Sequence, residues 1–290
     1  MDAVLNTYNF NMNNLQQNLE LAASALQEAD ALIITAGAGI GVDSGLPDFR
    51  GNEGFWKAYP KIAKLGKSFT QMANPDWFRK DPSIAWAFYG HRLNLYRKTQ
   101  PHQGFFDLLK IGTKIGDYFV FTSNVDGQFQ KAGFDDLRIE ECHGSIHHFQ
   151  CVSPCSEDIW NASDETVSVD EEEFIAYEPF PVCRNCGGIA RPNILMFGDW
   201  FWIHNRSNEQ GSRFRNWISN HFHNHSKIAI IELGAGTTVA TVRYQSESLA
   251  ENDNATLIRI NPRDYYVPNG GISIPLGAKE GILKISHLLQ

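Results

Sequence analysis

Residues 37–51 read Gly37-Ala38-Gly39-Ile40-Gly41-Val42-Asp43-Ser44-Gly45-Leu46-Pro47-Asp48-Phe49-Arg50-Gly51. They follow the apolar run Ala31-Leu32-Ile33-Ile34-Thr35, which reads as a buried strand. The glycines therefore fall where a strand hands over to a helix and where bare backbone can approach a pyrophosphate. Gly37-x-Gly39 fits the first half of a dinucleotide-binding turn, but Val42 stands where a third glycine belongs. A plain crossover would run straight into a long helix. Here Ser44–Gly51 interrupts it with a second set of turn residues that carries an acid, an aromatic and a base.

The next buried run, Tyr118–Thr122, ends in Ser123-Asn124-Val125-Asp126-Gly127, and polar residues just past the carboxyl end of a strand are where open α/β sheets bind ligands. Further strands are expected at Ile228–Leu233, followed by Gly234-Ala235-Gly236-Thr237-Thr238, and at Leu257–Asn261. Asp81-Pro82 opens a helix that ends near Gln100-Pro101 and sets Tyr89 and Arg92 three apart on one face. Leu15, Leu19, Ala22 and Leu26 give an earlier helical stripe. Residues 1–12 read as a flexible lead-in, and 52–80 as short helices on a mobile loop able to cover a cofactor.

All five cysteines, Cys142, Cys151, Cys155, Cys183 and Cys186, lie in one segment. Cys151-x3-Cys155 and Cys183-x2-Cys186 form two knuckle-like pairs around an acidic insertion, the pattern of a four-thiolate structural zinc site. Two disulfides or four inert thiols are the alternatives; a reducing compartment opposes the first, and the close pairing opposes the second. With four protein ligands no position stays open for a catalytic water. Cys142 reads as a packed small residue. His221, His223 and His225 lack acidic or cysteine companions and read as a solvated loop.

The chain has 290 residues, 42% of them hydrophobic, enough for one large core or a large and a small one. With 25 basic and 33 acidic residues its formal charge is −8, which disfavours nucleic acid as a partner. The start of the chain does not resemble a secretory or transit segment, and no run of about 18 apolar residues exists, so a cytoplasmic protein without a membrane partner is expected.

In order, these motifs resemble those of the sirtuins (Sir2 family), the NAD-dependent protein deacylases. Residues 37–51 resemble GAG…SGIPDFRG; 122–127 resemble TQNIDG with Ser123 in place of glutamine. Glu141–Ser145 resembles the segment carrying the family's histidine, and Arg191–Asp199 resembles RPxVVxFGE with aspartate for glutamate. Gly234–Thr238 stands where the family has a GTS turn, and residues 277–283 resemble its closing turn and helix. The resemblance implies a doubly wound, Rossmann-like parallel α/β sheet over residues 13–290. A helical segment (52–100) and a smaller zinc module (145–191) would be inserted in it, with NAD in the cleft.

It implies that His143 is the catalytic base, Asn124 orients ribose or water, and Asp126 binds the nicotinamide carboxamide. Gly37, Ala38, Gly39, Asp48, Phe49, Arg50, Ser123, Gly236, Thr237, Asn261 and Ala278 would complete the cofactor site. An acylated protein or peptide would lie along Phe197 and Gly198, with products free lysine, nicotinamide and acyl-ADP-ribose. Tyr89 and Arg92 resemble the pair found in sirtuins that prefer malonyl- and succinyl-lysine. Two other readings stay open: a mono-ADP-ribosyltransferase or NAD glycohydrolase on the same site, permitted by the changes at Ser123, Gly41, Asp199 and Gly236, and a non-enzymatic sensor of NAD or ADP-ribose. Oligomeric state is not legible.

Overall fold

The computed structural model describes residues 2–48, 56–57, 59–64 and 66–290, with side chains from residue 14 onward. Six parallel strands form the main sheet: β1 (Ala31–Ala36), β2 (Tyr118–Thr122), β3 (Ile139–Glu141), β9 (Ile228–Leu233), β10 (Ala255–Ile260) and β11 (Ile272–Ile274). Their spatial order is β11-β10-β9-β1-β2-β3. In chain order this is 3-2-1-4-5-6, the doubly wound arrangement, and its direction reverses between β1 and β9. Ala36 pairs with Thr122 on one side and Leu233 on the other, so three strands end level at the reversal point.

The central strands are mostly apolar because helices cover both faces; the charged exceptions there, Glu232 and Arg259, are buried as a pair bonded at 2.6 and 2.8 Å. Leu32, Ile34 and Ala36 point to one face, under α1 (Asp2–Gln27), α3 (Gln103–Ile115) and α6 (Ala278–Leu288). Ala31 and Ile33 point to the other, under α4 (Asn205–His223) and α5 (Thr241–Leu249). Helix α1 carries helical backbone from Asp2, over the stretch read as a flexible lead-in; it contains neither glycine nor proline.

A second core lies outside this sheet. Helix α2 (Pro82–Lys98) begins on proline, with the Asp81 carboxylate accepting from the Ile84 N–H at 3.1 Å. Its Trp86, Phe88, Tyr89 and Leu93 pack with Ile146 and Phe149 of β4 (Gly144–Cys151) and Ile194 of β8 (Ala190–Ile194). Strands β4 and β8 run antiparallel, with β5 (Trp160–Asn161) beside β4. The hairpin β6 (Ser168–Asp170) and β7 (Ile175–Tyr177) lies against α2. His221 and His223, read as a loop, instead close α4; His221 bonds Asp117 through Nε2 at 3.2 Å and Ser226 through Nδ1 at 3.0 Å.

Candidate active site

Two glycine turns interlock at the reversal point. Gly37 N–H donates to Leu233 O and Gly39 N–H to Gly234 O, both at 3.0 Å. A Cβ on Gly37 would lie 2.9 Å from the Ala235 Cα, and one on Gly234, at φ +58, would lie 2.3 Å from the Ile40 nitrogen. Only bare backbone fits there. After Gly37 the chain enters a short 3₁₀ helix, Ala38–Ser44, and Gly45 at φ 85 stops it where the turn residues from Ser44 interrupt the crossover. His102 holds this turn, its Nε2 lying 2.9 Å from Ile40 O while its Nδ1 accepts from Gly104 N.

A cavity of about 130 Å³ opens beside these turns, between Gly39, Gly234, Asp48, Arg263 and Ala278. Asn261, buried past β10, donates to Ala235 O at 2.8 Å and accepts from the Arg263 and Asp264 N–H groups. Gly236 is half-buried with open space where a Cβ would stand, and Thr237 is exposed beside it. Asp43 accepts from the Lys279 N–H at 2.9 Å, tying the 3₁₀ turn to the start of α6. Of the expected cofactor residues, Gly39, Asp48 and Ala278 line this cavity, and Gly37 and Asn261 adjoin it through their contacts with Ala235. Phe49 and Arg50 lie outside the described residues.

The second group comes from β2. Thr122 Oγ1 donates to Ala36 O at 2.9 Å and accepts from Asn124 N at 3.0 Å, and Ser123 N–H donates to Ala36 O at 3.2 Å. Asn124 Nδ2 reaches back to Gly37 O at 3.1 Å. The ring of His143, in the turn between β3 and β4, has a hydrogen bond to the Ser123 backbone. Burial holds the His143 imidazole below its ordinary pKa, opposed by that hydrogen bond. Burial also pushes the Asp126 carboxyl up to about 6, although it accepts from the Gln128 N–H at 3.0 Å. The Asp126 carbonyl is bonded in turn to His147 Nε2 at 2.9 Å.

Arg92 is buried, and its Nε and Nη2 both donate to Tyr96 OH, at 3.1 and 3.0 Å. Tyr89 contributes a ring face 5.7 Å from the guanidinium. Burial works against the Arg92 charge, but the phenols of Tyr96, Tyr59 and Tyr89 outweigh it and raise its pKa. This cation also reaches the Asp126 carboxyl electrostatically. Phe197 lies half in solvent beyond β8, its N–H on Ala73 O at 2.9 Å, and Gly198 turns at φ +69. The turn is braced by the fully buried pair Arg191–Asp199, bonded at 2.6 and 2.9 Å.

The four sulfurs of Cys151, Cys155, Cys183 and Cys186 lie within 4.8 Å of one another. Cys151–Cys186 and Cys155–Cys183 are separated by 3.8 and 3.6 Å. A tetrahedral zinc with bonds of about 2.3 Å sets its sulfurs about 3.8 Å apart, so the set is positioned for a structural zinc. Cys142 is apart from it, and burial pushes its thiol well up, leaving it inert.

No role at the site was read from the sequence for Asp43, His102, Thr122, His147 or Arg263. Asp43 sits inside the glycine stretch and could have been read as a helix-capping acid. The others act across separations of 21 to 215 residues and leave no local signal.

The strand order and the interlocked glycine turns define a dinucleotide-binding α/β fold. The chain belongs to the Sir2 family, whose profile matches residues 37–212. An NAD-dependent protein deacylase of Leptospira interrogans (serovar Lai) is 30% identical over 227 residues, 78% of this chain and 79% of its own. The NAD-dependent protein deacylase of Thermococcus kodakarensis is 32% identical over 61% of this chain and 63% of its own. A solved Sir2 homologue–NAD complex superposes with a TM-score of 0.67 at 21% identity, covering 92% of each chain. No helix among the described residues is long and apolar enough to cross a membrane.

Proposed function

We propose that this chain is an NAD-dependent protein-lysine deacylase. The observation that carries the reading is the junction of Asn124, Gly37 and Ser123–His143, which joins the glycine turn, the post-β2 loop and the histidine turn. The site fits NAD on its own terms. The two glycine turns pack backbone against backbone beside a cavity lined by Gly39, Gly234, Asp48, Arg263 and Ala278, and Gly236 leaves open space where a Cβ would stand. When bound, NAD supplies a ribose carbon from which nicotinamide departs.

The chain's own groups do the rest. Asp48, Asn124 and Asp126 would hold the nicotinamide end and keep water from the acyl oxygen that must attack. His143, kept neutral at pH 7 by burial, has a ring nitrogen able to take a proton from a ribose hydroxyl. Phe197 and Gly198 would form the groove wall along which the acyl-lysine peptide lies.

The finer reading concerns the acyl group. Arg92 is buried among phenols and within electrostatic reach of Asp126, which supports a pocket for an acyl chain ending in a carboxylate. Incubation of the protein with NAD and acetyl-, succinyl- and malonyl-lysine peptides, read by mass spectrometry, tests the proposal. Free lysine, nicotinamide and acyl-ADP-ribose are expected in equal amounts. Peptide-independent nicotinamide release would make it a glycohydrolase, and ADP-ribose attached to protein a transferase.

A further inference from the structure

The larger cavity, about 490 Å³, lies on the other side of β4 from the second core, between that strand, α4 and the short helix Gln128–Lys131. Four cations line it, Arg97, Lys131, Arg206 and Arg213, against two carboxylates, Asp136 and Glu209. In a chain of formal charge −8 this is a local inversion of sign.

The cations are not neutralised in the usual way. Among the described residues only Arg206 of these four forms an ion pair, with Glu141. Arg97 gives Nη1 and Nη2 to the carbonyls of Glu165 and Ala162. Lys131 spends its ammonium on the carbonyls of Tyr96, Arg97 and Thr99, and Arg213 Nε donates to Leu137 O at 3.3 Å. Carbonyls fix these groups in direction but leave their charge in place. Arg206 Nη1 and His148 Nδ1 are buried without a hydrogen-bond partner, although such an atom costs on the order of 1–3 kcal/mol when nothing meets it.

The lining chemistry narrows the occupant. No Phe, Tyr or Trp is present to stack on a base, which disfavours a nucleotide. Gln130, Ser145, Asn161 and Gln210 offer hydroxyl-matching groups, and the volume lies in the range of small-ligand pockets. Arg206 and Arg213, seven apart on α4, share this lining with Arg97 of α2 and Lys131 of the short helix, so three separate elements bring cations to one cavity.

We propose that this cavity is a second binding site, separate from the glycine-turn mouth, for a small phosphate-bearing polyanion of about sugar-phosphate size. The proposal does not depend on the deacylase reading. Its test is calorimetric titration of the full chain with ribose 5-phosphate and with inorganic pyrophosphate. The comparison uses Arg213→Glu and Gln130→Glu, on the wall of this cavity, and Arg263→Glu, on the wall of the glycine-turn cavity, each checked for an unchanged melting temperature. Binding of at least one probe, weakened tenfold or more by Arg213→Glu and by Gln130→Glu but not by Arg263→Glu, is the expected result. Absence of binding at millimolar probe, or binding lost only in Arg263→Glu, would overturn the proposal.

Discussion

Asn124 Nδ2 donates to the Gly37 carbonyl at 3.1 Å, across 87 residues of chain. This one amide ties the loop after β2 to the glycine turn after β1, so its other face is presented at a fixed angle. Asn124→Ala should reduce deacylation about 10²-fold with little change in melting temperature, and Asn124→Asp should do no better because it removes the donor. Steady-state kinetics on the variants would check this; near wild-type turnover by Asn124→Ala would remove it from the site.

His143→Ala should abolish turnover, by about 10²–10⁴-fold, while folding and NAD binding persist. Because burial lowers the pKa of this ring, its neutral, proton-accepting form persists below pH 6.5. The acid limb of kcat/KM should accordingly have its midpoint below 6.5. A limb centred above 7 would assign the profile to another group.

Arg92→Met should reverse the acyl preference. Succinyl-lysine should exceed acetyl-lysine by about tenfold or more in kcat/KM with Arg92, and fall below it without the guanidinium. An unchanged order would place Arg92 in the core only, where its bonds to Tyr96 already give it a structural role.

Cys183→Ser should release one zinc per chain, measured by elemental analysis, and lower the melting temperature, since the thiolates otherwise crowd one point without a cation. Full metal content in Cys183→Ser would contradict the four-sulfur assignment.

His148 is held at about 3 in the folded chain, by burial and then by Arg206, against 6.5 unfolded. The unfolded chain binds the proton first as pH falls. The stability that goes with the neutral ring is therefore complete above about 6.5 and lost progressively from there toward 3. Asp126 and Glu140, raised by burial to about 6 and about 7, run oppositely and lose stability as pH rises toward those values. His148→Gln should flatten the acid side by about 2 kcal/mol between pH 6.5 and 4.5, read from urea melts. Parallel curves for the two proteins would refute it.

The glycine turns, the cysteine pairs and the Asp81-Pro82 helix start were legible because each is written in adjacent residues whose backbone demands are local. The 3₁₀ form of residues 38–44 was not, since it follows from His102 gripping Ile40 O from 62 residues away. Nor was the choice of Arg92 for Tyr96: spacings of three and four both place a partner on the same helix face, and packing decides between them. The backbone bond from Ser123 N–H to Ala36 O was not legible either, because any residue at that position supplies it.

The second core has a consequence for protein engineering. Trp86 and Tyr89 of α2 share one apolar cluster with Cys151, Cys183 and Val167 of the cysteine-bearing segment. Ser83 Oγ and Asn94 Nδ2 also bond the Ala176 and Val167 carbonyls. Two insertions distant in the chain are thus halves of one interior. A chimera that borrows helix α2 from a relative without its cysteine segment, or the reverse, would set mismatched surfaces against each other, so the two must be exchanged together.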